Sequence, residues 1–445
     1  MPYDPQFQHR IFEMLQDSQY WPKKQMRSFQ EQQLAQLLKF SRDNVPFYKD
    51  RLANAFTSEG NVNWDSWEQI PILTRDDLIN HRDLLLAHEL PPGHGNIADH
   101  LGSGTMGKPV SSRHNSLVPL VSQAALFRGL SWHNVDFGEV FCQIEGDDPE
   151  FAQWPKGQAL GPWGPHWDER SAKGNMLQIN RNTSPENIAE YINRNAVNYL
   201  SGRPNRILSV ARVLKNNNLN HLLSAIVTLS ESPSEDVREE CREVYGAEII
   251  SVYSSKEVYN IAHQCSAGNG YHVNAELLLL EVLDSRGHPC VLGEPGRAII
   301  TSFFNTSQPF IRYDIGDQIV MGRACGCSVQ LPLIEKIIGR TNHLFRFPPE
   351  RFVGLTLPPK SMKLIAAKSW QIAQIEPLHI EVRFVPDGSQ RNPNFASIVE
   401  LIRSRTDGRV QVSFKQITVL PLTPSGKFIE YVCELPGVSV AAVQR

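Results

Sequence analysis

Through the middle of this chain, short apolar runs at 225–229, 277–283 and 297–302 alternate with helical periods at 185–194 and 235–244. Runs that are apolar nearly throughout suit strands covered on both faces, so the alternation predicts an α/β architecture of layered sheets and helices with buried strands. Near the N-terminus, Leu34, Leu37 and Leu38 fall at helical spacing in an amphipathic helix that continues toward Phe40, and a turn follows at 44–48. At 445 residues the chain is too long for one ordinary core, and one large and one small domain is the simplest division. From about Arg340 the character changes: Pro348, Pro349, Pro358 and Pro359 precede a stretch at 379–385 with the period of a half-buried strand. The expected boundary lies at 339–342, giving a large N-terminal domain, 1–339, and a small C-terminal α+β lid domain, 340–445.

Composition excludes some partners. The chain is 41% hydrophobic and 20% charged, with a formal charge of −3 and both signs mixed along its length, so nothing calls for nucleic acid. The opening Met1-Pro2-Tyr3-Asp4-Pro5 is polar, and no later apolar run approaches bilayer length; no membrane partner and a cytoplasmic location are expected. Oligomeric state is left open, a homodimer included.

Seven cysteines, an odd number, argue for reduced thiols or metal ligands over a disulfide framework. Cys142, Cys241, Cys290 and Cys433 are isolated and read as packing residues. Cys265 and His272, followed much later by Cys325-Gly326-Cys327, supply three thiols and one imidazole, a complete tetrahedral zinc set whose role would be structural. The rival reading places Cys325 and Cys327 in a glycine turn and makes Cys265 a small buried apolar residue.

Gly102-Ser103-Gly104-Thr105-Met106-Gly107-Lys108 has the spacing of a phosphate-binding loop, in which glycines admit backbone N–H groups to phosphate oxygens and the lysine adds charge. The next residue is Pro109, so the hydroxyl that holds magnesium in a Walker loop is missing. A flexible loop remains, with Ser103 and Thr105 able to donate to the β- and γ-phosphates of ATP. A plain surface turn is the alternative.

Further motifs accompany the loop, and in their order the chain resembles the adenylate-forming superfamily of acyl-CoA synthetases, aryl-CoA ligases and adenylation domains. Gly102 to Pro109 is similar to its phosphate loop, and Ser230-Glu231 to its adenine-side loop. Tyr253-Ser254-Ser255-Lys256-Glu257 resembles the aromatic-to-glutamate motif, and Arg312-Tyr313-Asp314-Ile315-Gly316-Asp317 the ribose-binding motif. Gly339-Arg340-Thr341-Asn342 is similar to the hinge, and Leu420-Pro421-Leu422-Thr423-Pro424-Ser425-Gly426-Lys427 to the C-terminal lysine loop. The segments 40–48 and 71–78 resemble the phenylacetate-CoA-ligase-like branch that includes capsule-locus proteins of the CapK type.

The resemblance implies an ATP-dependent ligase that makes an acyl-AMP from a carboxylic acid and passes the acyl group to CoA, an amine or a carrier protein. That chemistry gathers anions around the α-phosphorus, so cations must converge there. Glu257 would hold Mg2+, and Lys427 would meet the α-phosphate and the attacking carboxylate. Asp317 would accept the ribose hydroxyls, Tyr253 would flank the adenine or its surroundings, and Arg340 would add a ribose or phosphate contact. Taken singly, Asp317 also fits a turn, Tyr253 a buried strand and Gly426-Lys427 a surface pair.

Lys256 departs from the usual Thr or Ser, which puts an ammonium where a hydroxyl is expected near the α-phosphate. Asn342 and His343 replace an acidic hinge residue, and Pro348-Pro349-Glu350-Arg351 lacks the usual glycine. The hinge changes bear on the second half-reaction, in which the small domain rotates to line the acceptor channel. Two alternatives remain: a nucleotidyltransferase ending at adenylation, and a zinc-stabilised nucleotide-binding protein without turnover. Trp132, His133, Trp154, Trp163, His166 and Trp167 fall where the family places part of its acyl pocket, with core packing as the competing role.

Overall fold

The computed structural model describes residues 5–101, 110–146, 148, 150–229, 233, 235–268, 270–284, 286–323, 325–340, 345–348, 351–353, 355, 357, 361–388, 392–421 and 430–435. Two compact units divide the chain, with the main boundary between Ile337 and Ile338.

The first unit opens with helices α1 (Pro5–Ser18), α2 (Lys23–Asn44), α3 (Tyr48–Arg51) and α4 (Arg75–Asn80), then a two-stranded ribbon of β1 (Ile97–Leu101) and β2 (Ser111–Asn115). Thr74 and Asp77 form a capping box at the start of α4, with Asp77 N donating to Thr74 Oγ1 (3.2 Å) and Thr74 N to Asp77 Oδ2 (2.8 Å). Beyond α5 (Leu117–Ser131) the chain builds half of a large sheet: β3 (Val140–Ile144), β4 (Gln158–Gly161), β5 (Asn175–Ile179), α6 (Pro185–Arg194), β6 (Tyr199–Ser201), α7 (Pro204–Asn216), β7 (Ala225–Leu229), α8 (Glu235–Tyr245) and β8 (Ile249–Ser255). The other half is β9 (Tyr259–Gln264), β10 (Tyr271–Val273), β11 (Leu278–Leu283), β12 (Pro295–Ser302), β13 (Tyr313–Met321) and β14 (Leu333–Arg340). Together they make a 12-stranded sheet in the order β11-β12-β13-β14-β10-β9-β8-β7-β6-β3-β5-β4.

Strands β5, β3, β6, β7 and β8 run parallel. Parallel strands are sheathed by their crossover helices, and the first four residues of β7 are accordingly all buried. α6 starts where Ser184 Oγ accepts from Asn187 N (3.2 Å) and Pro185 occupies the first turn, where its missing N–H costs nothing. Ile188, Ile192, Ile207, Val210, Leu214, Val237 and Cys241 from α6, α7 and α8 share one core with Cys142, Leu200 and Ile226 from the strands. This parallel block is flanked by antiparallel pairs, β4 with β5 on one side and β8 with β9 on the other.

Helix α5 lies against α1 and carries Arg128, fully buried. Its Nη1 donates to Glu276 Oε1 (2.6 Å) and Leu15 O (3.2 Å), and its Nη2 to Asn274 Oδ1 (2.7 Å). Gly129 comes so close to β9 that a Cβ would strike the His263 ring.

The second unit contains a four-stranded sheet ordered β19-β18-β17-β20 and a hairpin of β15 (Phe345–Phe347) with β16 (Arg351–Val353). The sheet strands are β17 (Ala367–Glu376), β18 (His379–Pro386), β19 (Gln411–Gln416) and β20 (Tyr431–Cys433). Ile398 and Ile402 of α9 (Phe395–Arg405) share a core with Ile372, Ile380, Val382 and Phe384. Period-two burial in β18, with Ile380, Val382 and Phe384 inward, is the alternation that its sequence predicts. Among the described residues no helix is long and apolar enough to cross a membrane.

Candidate functional site

Parallel strands present their carboxyl ends on one edge of the sheet, and in open α/β sheets ligands bind outside that edge. β7 ends at Leu229, immediately before Ser230-Glu231, and β8 ends at Ser255, immediately before Lys256-Glu257. The two strands are neighbours, with Leu229 opposite Val252. Ser230, Glu231, Lys427 and the loop residues Ser103, Gly104, Thr105, Gly107 and Lys108 lie outside the described residues.

Lys256, Glu257 and Val258 form the β8–β9 turn, closed by Val258 N donating to Ser255 Oγ (3.2 Å). Lys256 is exposed and Glu257 half-buried. Among the described residues the Glu257 carboxylate makes no hydrogen bond or ion pair, so its oxygens suit a hard cation. Ser254 and Ser255 are half-buried at the end of β8. Tyr253 is buried and belongs to the core cluster of Val258, Ile261 and Phe310. A backbone irregularity between Tyr253 and Ser254 lets this strand end turn out of register.

The ribbon that carries the glycine loop is fixed to this turn. β1 ends at Leu101 opposite Ser111, so residues 102–110 link two paired strands. Asn305 Nδ2 donates to Arg113 O (2.9 Å), which fixes the orientation of its amide, and it also donates to His114 Nδ1 (3.3 Å). The other nitrogen, Nε2, must then carry hydrogen and donate to Ser112 Oγ (3.0 Å), whose single proton is shared between the Lys256 carbonyl (3.4 Å) and the His100 carbonyl (3.5 Å). Burial, and then the neighbouring His100, pushes the His114 pKa down to about 4, so the ring is neutral and this directed chain persists at neutral pH. Tyr259, in the left-handed region at φ 60°, packs edge-on to His114 at 5.1 Å. No single motif signalled this chain, because its members are scattered through the sequence.

In the segment 312–317, charged residues take different roles. Arg312 turns inward, buried, with Nη1 donating to Glu68 O and Ile70 O (each 2.7 Å) and Nη2 paired with Glu281 (3.2 Å). Asp314 pairs with Arg297 at 2.9 Å. Asp317 is buried on β13 one residue after Gly316, whose φ of 78° suits glycine. Arg340 ends β14.

A second convergence lies at the opposite end of β9. Ligand atoms of Cys265, His272, Cys325 and Cys327 all lie within 4.8 Å of one another. All seven thiols are free. Cys142 and Cys241 are fully buried, as packing residues should be.

The tryptophans and histidines between 132 and 167 divide among separate packing environments, with Trp163, His166 and Trp167 in or beside one core. Trp163 is in the core, stacked on Phe141 at 4.7 Å, with Nε1 donating to Glu139 O (2.8 Å). Trp167 packs against Phe12 and Phe127, and His166 lies edge-on to it. Trp154 borders the helix core, Trp132 sits beside His272, and His133 bonds Gln264 O (2.9 Å). Packing disperses these rings.

The architecture is that of the adenylate-forming ligases. A crystal structure of 2-hydroxyisobutyryl-CoA ligase in the postadenylation state, in complex with R3-HIB-AMP, superposes with a TM-score of 0.69 at 15% identity, covering 94% of this chain and 92% of that one. An anthranilate CoA ligase in complex with anthranoyl-AMP superposes with a TM-score of 0.54 at 16% identity, over 75% of this chain and 66% of that one. In sequence, the phenylacetate-coenzyme A ligase of Thermus thermophilus is 22% identical over 332 residues, 73% of this chain and 72% of that enzyme. No protein-family profile matches the chain. Fold and sequence thus both resemble the adenylate-forming superfamily, in its phenylacetate-CoA-ligase-like branch.

Proposed function

We propose that this protein is an ATP-dependent acid–CoA ligase. A carboxylate oxygen attacks the α-phosphorus of ATP, the bond to the bridging oxygen breaks, and pyrophosphate leaves with the electron pair. The thiol of CoA then attacks the acyl carbonyl, loses its proton and expels AMP. Relatives and structural neighbours named as CoA ligases favour CoA over an amine or carrier protein as acceptor.

The observation that carries this reading is the tie between the glycine-loop ribbon and the Lys256–Glu257 turn, made by His114, Ser112 and the Lys256 carbonyl. It ties β2, the strand that follows the glycine motif, to the turn that carries Glu257, and this supports assigning the two segments to phosphate and magnesium. In this assignment Ser103, Thr105 and Lys108, with the backbone at Gly104 and Gly107, hold the β- and γ-phosphates, and Ser230-Glu231 lies on the adenine side. Glu257 holds Mg2+, which would neutralise phosphate charge. Tyr253 backs the adenine side from the core, Asp317 accepts the ribose hydroxyls, and Arg340 adds a ribose or phosphate contact. Lys256 places an ammonium near the α-phosphate. Lys427 supplies the cation at the attacking oxygen.

Pyrophosphate release from Mg-ATP across a panel of aromatic, hydroxy, fatty and amino acids, with and without CoA, tests the proposal. Acid-dependent pyrophosphate, with AMP appearing when CoA is added, is expected. ATP binding without pyrophosphate release for any acid would overturn it.

A further inference from the structure

We propose that Cys265, His272, Cys325 and Cys327 bind a structural zinc ion that clasps the β13–β14 connection to the β9–β10 hairpin. The argument starts from strand register. β10 pairs with β14 through Tyr271–Ile334 and His272–Leu333 and with β9 through His272–His263, so the chain entering β14 must pass beside the β9–β10 turn. Gly270, at φ 92°, permits that approach, since a Cβ there would run into the Ile334 carbonyl. Cys265 precedes this turn, His272 follows it, and Cys325 and Cys327 arrive on the passing chain.

The donor set fits zinc in type and spacing. Zn–S and Zn–N bonds of about 2.3 and 2.0 Å place tetrahedral ligand atoms roughly 3.5–3.8 Å apart. Here Cys265 Sγ lies 3.9 Å from Cys325 Sγ, and His272 Nε2 lies 3.4 Å from Cys325 Sγ and 3.2 Å from Cys327 Sγ. The Cys325–Cys327 edge, 2.7 Å, is shorter than that spacing. The imidazole is already set for coordination: Nδ1 lies 3.3 Å from the Leu331 carbonyl, to which only an N–H can donate, which leaves the Nε2 lone pair facing the sulfurs. Ala267 N donates to Cys265 Sγ (3.4 Å), as backbone amides do around metal thiolates.

Four protein ligands fill a tetrahedron and leave no position for a reacting water, so the ion is structural. What it would hold is a junction. Gln330 N donates to Gln19 O (2.7 Å), Leu331 packs with Met26 and Ala275, and Trp132 donates to Gln19 Oε1 (2.7 Å) while standing edge-on to His272 at 5.4 Å. The clasp thus anchors the N-terminal helices to the loop joining the strand of Asp317 to the strand of Arg340. A cleft of about 320 Å³, lined by Gln16, Tyr20 and Ser131 as well as Cys265, His272 and Cys327, gives the ion a path in.

Metal analysis of the full chain, purified under reducing conditions, is the decisive experiment, and it reads zinc independently of any ligase activity. About one zinc per chain is expected, with three thiols protected from a thiol reagent until a chelator is added. Growth with cobalt should give the visible spectrum of a tetrahedral cobalt thiolate. Cys327→Ser and His272→Gln should lose the metal and lower the melting temperature by several degrees. Metal-free wild-type protein whose thiol reactivity is the same with and without chelator, or a Cys325–Cys327 disulfide, would overturn the proposal, as would iron in place of zinc.

Discussion

The two ends of β9 are built in opposite ways. At its N-terminal end the β8–β9 turn presents Lys256, exposed, and Glu257, half-buried, adjacent in sequence. Toward its C-terminal end, His263 shares Asn274 Oδ1 with the buried Arg128, Arg128 pairs with Glu276, and Cys265 begins the four-ligand cluster. One end carries charged side chains at the surface, while the other buries charge among fixed partners. A buried charge whose partner is removed keeps its desolvation cost, whereas an exposed one recovers its hydration. The two ends should therefore fail differently, one in turnover and the other in stability.

The largest effect is expected at the buried end. Arg128→Met strands Glu276, whose carboxylate accepts from Arg128 (2.6 Å) and from Ser18 Oγ (2.7 Å), and should cost on the order of 3–5 kcal/mol in chemical denaturation. Little change would show that the buried pair is dispensable and the contrast false. Lys427→Ala should do the reverse, lowering acid-dependent pyrophosphate release about a hundredfold or more while leaving the melting curve in place. Unchanged release would remove Lys427 from the chemistry.

Acid should also separate the two ends. Burial, then the Arg128 charge, pushes the His263 pKa down to about 3 from 6.5, so the unfolded chain takes up a proton that the folded ring refuses. Its contribution to stability is complete above 6.5 and drains away as pH falls from there toward 3, by at most about 1.4 kcal/mol per pH unit. His263→Gln should flatten that part of the stability profile, and an unaltered slope would show that other groups set it. The smallest effect is expected from Ser112→Ala, which breaks the relay to the Lys256 carbonyl. One neutral hydrogen bond, worth roughly 1 kcal/mol, predicts at most a severalfold loss of adenylation and a small drop in melting temperature. A total loss would make Ser112 part of the chemistry itself.

Where information was local, the sequence was legible. The apolar run at 225–229 became β7, with its first four residues buried, and Pro185 after Ser184 marked the start of α6. Glu257 and Asp317 stand in short contiguous motifs, so they could be named as candidates before any folding is known. The aromatic residues from Trp132 to Trp167 left two uses open, because a ring fits a core as well as a pocket, and only packing separates the uses. By itself, then, the sequence determined the α/β class, the individual elements and the candidate nucleotide motifs, since these depend on propensity, periodicity and neighbouring residues. Tertiary structure alone decided that Arg128 meets Glu276, that Ser112 reaches the Lys256 carbonyl, and that Cys325 and Cys327 arrive beside Cys265 and His272. Those meetings follow from strand register and helix packing, which bring together residues that no local rule connects.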